Sequence, residues 1–253
     1  MSIACEKKDR VIWITWDRPP LNVFNIPLLR ELDRLLTECA TDSTADVVLL
    51  RGAGERAFSA GVDIKDHTAD QVPEMLDVVH GVIKKLLALP QVTVAAVHGV
   101  CLGGGCEVAS SCDFIVASEQ SWFATPEILV GCYPPVALAR FSRLIGYHRA
   151  AEMILTGRRF SAREAQAFGL VNRVFADGEF AGGVETLLDE LLGKSGAVLR
   201  LAVKGLRELS LGGFNEALKR SEEIYCNQLL KTQDVEEGVK AFLEKRPAKW
   251  THR

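Results

Sequence analysis

The chain has 253 residues, 48% hydrophobic, 25% charged and 7% aromatic, a composition that excludes disordered, collagen-like and fibrous proteins. That length suits one large domain, or a domain with an appendage, and can bury a sizeable core without disulfides or metals. Thirty Lys+Arg against thirty-three Asp+Glu leave a net charge of −3, so no polyanion-binding stripe is indicated and no nucleic-acid partner is expected.

Seven cysteines, an odd number, form no CxxC pair and no Cys/His metal spacing, which fits a reducing compartment. The start MSIACEKKDR lacks the apolar run of a signal peptide, and no stretch approaches eighteen apolar residues. A cytoplasmic protein with no membrane partner is expected.

Val11–Trp16 is β-branched and aromatic and runs into Asp17-Arg18-Pro19-Pro20, a strand and its stop. Leu28, Leu29, Leu32, Leu35, Leu36 and Cys39 recur at helical spacing, predicting an amphipathic helix over 27–40. Val47–Leu50 reads as a buried strand. Pro73 opens a second helix whose face carries Met75, Val78, Val79, Val82, Ile83, Leu86 and Leu87, and Pro90 closes it. Val92–Val97 shows no alternation of polarity, as expected of a strand covered on both faces. Beyond Glu127 the pattern turns helical: 149–156, then 161–168 with Ser161 and Glu164 at capping-box spacing and Gly169 as the stop. After a short strand at 170–175, further helices are predicted at 184–193, 197–209, 214–231 and 235–245.

Two segments place glycine where a strand gives way to something else: Ala57-Phe58-Ser59-Ala60-Gly61-Val62-Asp63-Ile64-Lys65, and the run from His98 through Gly103-Gly104-Gly105 to Glu107. Three consecutive glycines before a helix let backbone N–H groups approach an anion or oxyanion, aided by the helix dipole. The same residues also suit a tight turn, and their spacing is that of neither a phosphate loop nor a dinucleotide fingerprint. Glu107 follows the glycines and Glu127 sits between apolar neighbours. Two carboxyls near donor-rich backbone can handle a water and a proton, one as base and one, kept neutral, as acid; taken singly, each also suits a helix end or the surface. Of His67, His80, His98, His148 and His252, His98 precedes the glycine loop and reads as a packing or hydrogen-bonding residue. Cys101, Cys106 and Cys112 read as small buried hydrophobes.

The stretches AFSAGVDIKD, AAVHGVCLGGGCEVASSCDFIVAS, FATPEILVG, EMILTGRRFSAREAQAFGLVNRVF and GVKAFLEKR resemble the enoyl-CoA hydratase/isomerase (crotonase) superfamily, in the same order and over nearly the whole chain. The resemblance implies an α/β fold, a crotonase-like spiral of ββα units over 1–190 with a helical C-terminal trimerisation region over 191–253. It implies a homo-oligomer, a trimer or a dimer of trimers. It also implies an acyl-CoA substrate, so that coenzyme A enters as part of the substrate and neither a separate cofactor nor a metal is needed.

By that resemblance the thioester carbonyl is held by the N–H groups of Val62 and Gly104, each such donor being worth roughly 3–4 kcal/mol to an enolate. Val62 stands where alanine is common and should crowd the adjacent pocket. Glu107 and Glu127 match the catalytic pair of the hydratases, Glu127 protonating the α-carbon and Glu107 activating the water. Leu21, Asn22, Val23, Ala60, Asp63, Ile64 and Lys65 match segments lining the path of CoA, and Phe242 and Lys245 match positions near the CoA adenine of a neighbouring subunit.

The sequence departs from the pattern after PEILVG, where a Gly-rich run becomes Cys132-Tyr133-Pro134-Pro135-Val136-Ala137-Leu138-Ala139-Arg140. A stiffer, bulkier loop reshaping the acyl pocket at Tyr133, Pro134 and Pro135 is expected; drift without consequence is the other reading. A similar run occurs in cyclohexa-1,5-diene-1-carbonyl-CoA hydratases of anaerobic aromatic degradation. The resemblance thus implies an acyl-CoA hydratase acting on a fatty or cyclic dienoyl thioester, with an isomerase, and more remotely an RNA-binding relative, as alternatives.

Overall fold

The structure, a computed structural model, describes residues 2–68 and 70–251. His252 lies outside the described residues. The elements are β1 (Ser2–Lys8), β2 (Val11–Asp17), α1 (Ile26–Thr41), β3 (Val47–Gly52), β4 (Ala57–Ser59), α2 (Val72–Ala88), β5 (Val92–Val97), β6 (Val100–Leu102), α3 (Gly104–Ser110), β7 (Phe114–Ser118), β8 (Trp122–Ala124), α4 (Pro135–Ile145), α5 (Tyr147–Thr156), β9 (Phe160–Ser161), α6 (Ala162–Ala167), β10 (Arg173–Phe175), α7 (Phe180–Leu192), α8 (Gly196–Ser210), α9 (Phe214–Asn227) and α10 (Gln233–Leu243).

The larger sheet has the order β1-β2-β3-β5-β7-β10. β1 and β2 form an antiparallel hairpin, and every later pairing is parallel. Because side chains alternate across a strand, Val47, Leu49, Val92, Val94 and Val116 face one side, where Val184, Leu187 and Leu188 of α7 cover them. Val48, Leu50, Ala95, Val97 and Ile115 face the other, against α1 and α2. Both faces being covered, these strands read as unbroken apolar runs. Within the main core Trp16 sits edge-on to Phe24 and Phe58 and donates its indole N–H to the Phe58 carbonyl at 2.7 Å.

The smaller sheet, β4-β6-β8-β9, positions the functional segments. β4, β6 and β8 are parallel neighbours of three residues each. Their carboxyl ends therefore release three segments side by side: Ala60-Gly61-Val62, Gly103-Gly104 and Thr125-Pro126-Glu127. In parallel sheets this is the end at which ligands are usually received.

α6 carries the expected capping box, Ser161 accepting from the Glu164 N–H while the Glu164 carboxyl accepts from the Ser161 N–H. The expected helix over 214–231 breaks at Asn227, and α7 begins four residues before its expected start and ends at Leu192. One expectation changes in kind: the segment at Pro134–Ala139 is not a loop but opens α4. Pro135 takes the first helical position, where the missing N–H costs nothing and φ is already set. α8 is tied to the large sheet by Arg207, whose guanidinium donates to Asp113 Oδ1 at 3.0 Å, to the carbonyl of Gln91 at 3.1 Å and to the carbonyl of Leu89. No helix among the described residues is long and apolar enough to cross a membrane.

Candidate active site

A cavity of about 750 Å³ opens where the three segments meet, walled also by α2, the start of α4, α9 and α10. Val62 and Gly104 line it. Phe24 pairs in parallel fashion with Val62, donating to the Gly61 carbonyl at 2.8 Å and accepting from the Asp63 N–H at 2.7 Å. The Val62 N–H therefore points to the opposite side and has no partner among the described residues. Gly104 opens α3, so its N–H has no acceptor within the helix.

The two donors lie close together: a Cβ built on Gly104 would stand 3.7 Å from the Val62 nitrogen and 2.7 Å from its Cγ2, and one on Gly61 3.6 Å from the Gly104 nitrogen. Any side chain at 104 would fill the space between them. The crowding expected from Val62 is thus present on the side of Gly104.

Glu107 projects from the first turn of α3 and is buried. Its Oε1 accepts the Ala137 N–H at 3.0 Å, a free donor of the first turn of α4. The Pro134-Pro135 segment therefore serves the site directly, because the helix it starts presents backbone donors to Glu107. Burial pushes the Glu107 carboxyl well above the usual carboxylate range, and the Ala137 and Val136 N–H groups hold it partly down.

Glu127 rides on a single turn of 3₁₀ helix, Pro126–Val130. Thr125 anchors that turn by donating to the Met153 carbonyl at 3.2 Å, and the Glu127 carbonyl accepts the Cys132 N–H at 2.9 Å. Its carboxyl lies over Gly103, where a Cβ would stand 2.5 Å from Oε1 at a φ of +49°. Its Oε2 is sealed from water and has no hydrogen-bond partner among the described residues. Burial raises this carboxyl further, and the Glu107 charge adds to the rise. The two carboxyls thus differ in their surroundings, Glu107 accepting the Ala137 N–H on Oε1 and Glu127 keeping one oxygen without a partner among the described residues, an arrangement that can divide into a base and an acid.

Of the residues matched to the CoA path, Leu21, Val23, Ala60, Asp63 and Ile64 line the cavity. Asp63 is paired with Arg18 at 2.8 Å, which holds its carboxyl down against burial. Asn22 is turned away from the cavity: its amide donates to the carbonyls of Ala53 at 2.9 Å and Ala57 at 2.7 Å, and its Oδ1 accepts the Arg18 N–H at 3.0 Å. Lys65 is exposed and lies off the wall. Tyr133, Pro134 and Pro135 line the cavity, and so does this chain's own Phe242, whereas Lys245 does not.

Met75, Leu76, Val79, His80 and Tyr225 were missed as wall residues. Met75 and Val79 were legible only as an apolar helix face, and nothing local brings Tyr225 of α9 to α2. His98 stands edge-on to Phe180 in a second concavity of about 960 Å³ behind the large sheet, away from the glutamate pair. All seven cysteines are free, with Cys101, Cys106 and Cys112 buried.

The sequence profile of the family described as enoyl-CoA hydratase/isomerase matches residues 6–253. A probable enoyl-CoA hydratase of Rhizobium meliloti (strain 1021) is 36% identical, over 100% of this chain and 98% of that one. The cyclohexa-1,5-dienecarbonyl-CoA hydratase of Thauera aromatica is 29% identical, over 100% of this chain and 97% of that one. The crystal structure of an enoyl-CoA hydratase from Mycobacterium avium subsp. paratuberculosis K-10 superposes with a TM-score of 0.89 at 29% identity, covering 98% of each chain.

The chain belongs to the enoyl-CoA hydratase/isomerase family. It has the crotonase-like α/β fold, and as a member it is an enzyme of the hydro-lyase type.

Proposed function

We propose that the protein adds water, reversibly, across a C=C conjugated with a CoA thioester. The observation that carries this reading is the pair of raised carboxyls, Glu107 held by the N-terminus of α4 and Glu127 with its Oε2 unpartnered among the described residues, in one cavity with the unpartnered N–H groups of Val62 and Gly104. The thioester oxygen takes the two N–H donors, and the carboxylate of Glu107 accepts a proton from a water as its oxygen bonds to the β-carbon. The charge that develops on the thioester oxygen is met by the two donors. Glu127 then gives its proton to the α-carbon, so that H and OH have been added overall. Dehydration is the same path reversed. Coenzyme A enters as part of the substrate, and both proton transfers use these carboxyls alone.

Within that reading we favour a cyclic dienoyl thioester. Pro134 and Pro135, stiff by their rings, line the cavity together with Leu76, Val79 and the rings of Tyr133 and Tyr225, which pack edge-on at 5.0 Å. A flat ring fits such an apolar slot, and the relative from Thauera aromatica is named for such a substrate. A straight-chain enoyl-CoA fits the same carboxyl pair. Purified protein assayed side by side with crotonyl-CoA and cyclohexa-1,5-diene-1-carbonyl-CoA separates the two. Turnover of the cyclic thioester with addition of one water by mass is expected, and turnover of crotonyl-CoA alone would refute the ring.

The protein acts as a homo-oligomer, a trimer or a dimer of trimers. Val198, Leu201, Leu206 and Leu209 are 63–89% exposed and recur at helical spacing on α8, an apolar stripe that a second copy would cover. Light scattering should give a multiple of three chains, and Leu201→Glu with Leu209→Glu should dissociate it.

A further inference from the structure

His80 lies on the α2 wall of the cavity and is 1% exposed. Its Nδ1 is 2.5 Å from Glu222 Oε1, across from α2 on α9. A carboxylate can only accept, so the proton sits on Nδ1 and Nε2 carries a bare lone pair. Nε2 is sealed from water and meets no partner among the described residues. Burial favours the neutral imidazole, against the opposing pull of Glu222. Ser221, next to Glu222, also has a sealed, unpartnered Oγ, while its carbonyl accepts the Tyr133 hydroxyl at 2.7 Å. The seam between α2 and α9 is therefore polar, and its hydrogen-bonding capacity is unfilled beside an otherwise apolar acyl end.

We propose that His80, oriented by Glu222, is a specificity-determining residue that selects acyl-CoA thioesters whose acyl group carries a hydroxyl remote from the carbonyl. The hydroxyl donates to Nε2. A buried acceptor left unmade is costly, so a ligand that fills it gains over a hydrocarbon of the same length. A carboxylate at that position is disfavoured by Glu222. Nε2 is sealed in the free protein, so contact requires the wall to rearrange on binding; Leu76, one turn earlier on α2, lines the same cavity. The inference rests on the acyl-CoA reading of the site but not on the choice of a ring.

The test is calorimetric binding of saturated thioesters, which needs no turnover: butyryl- and hexanoyl-CoA against their 4-hydroxy and 6-hydroxy counterparts. The full-length protein should bind one hydroxylated thioester about tenfold more tightly than its hydrocarbon parent. In His80→Leu the ratio of the two affinities should fall to about one. Equal affinities in the unsubstituted protein, or a preference that survives His80→Leu, would overturn the proposal. Should the variant fold poorly, 15N labelling of histidine in the unsubstituted protein decides. The Nε2 resonance should move with the hydroxylated ligand and not with the parent; a resonance moved equally by both would leave His80 as a tether between α2 and α9. Failure to hydrate any enoyl-CoA would remove the hydratase reading and leave this comparison standing.

Discussion

Gly103→Ala separates the cost of disturbing the site from the cost of disturbing the fold. The new Cβ would stand 2.5 Å from Glu127 Oε1 and 3.2 Å from its Cδ, both at the end of a flexible side chain. The carboxyl can swing away, so the clash itself costs little stability. The larger structural term is the backbone: φ is +49° with ψ −125°, a region that glycine enters freely and an L-residue only at a cost of about 1–3 kcal/mol. Displacing the acid by about 1 Å, by contrast, can cost about 100-fold in rate. The expected variant is folded, loses about 1–3 kcal/mol in urea unfolding, binds acyl-CoA and hydrates crotonyl-CoA about 100-fold more slowly. Wild-type turnover in a folded Gly103→Ala protein would refute the placement of Glu127 over that glycine.

Gly104→Ala places a Cβ against Val62 Cγ2, between the two free N–H groups. Steady-state kinetics should show kcat/KM falling by about 100-fold or more, the scale of losing one oxyanion donor. The carboxyl pair, pushed up to about 7 for Glu107 and about 8 for Glu127, predicts a pH-dependent stability. A carboxyl raised in the folded state contributes fully below its unfolded value and loses that contribution as pH rises through the folded one. Glu127→Gln should therefore melt above the parent at pH 9 and close to it at pH 4; the opposite order would refute the buried acid. Asn22→Ala leaves the carbonyls of Ala53 and Ala57 without the amide donor and should cost about 2–3 kcal/mol by denaturation, with kcat on crotonyl-CoA altered less than by either glycine change.

Although β1, β7 and α4 carried no such signal, β2, β3, β5, α1, α2 and α7 were legible because their apolar pattern is driven by burial in and on the large sheet. β4, β6 and β8 were not, since three residues carry no period, and their pairing depends on partners far along the chain. The glycines flagged both ends of the oxyanion site, but only the fold brings Val62 beside Gly104. Glu107 and Glu127 stand out in sequence by their neighbours and take their roles from the resemblance; what only the fold shows is the Ala137 N–H on one and the sealed, unpartnered Oε2 of the other. The proline pair reads as a loop in sequence yet opens α4, because proline suits a turn and a first helical position equally well. His80 looked like one more residue on a helix face, since its partner Glu222 lies 142 residues away.

The most direct test of water addition by this carboxyl pair is hydration of an enoyl-CoA in H₂18O, read by mass, for the unsubstituted protein and for Glu127→Gln. One 18O should appear per product molecule with the former, and the rate should fall by orders of magnitude with the latter while thioester binding persists. A mass-neutral product, or Glu127→Gln turning over at the parental rate, would contradict it.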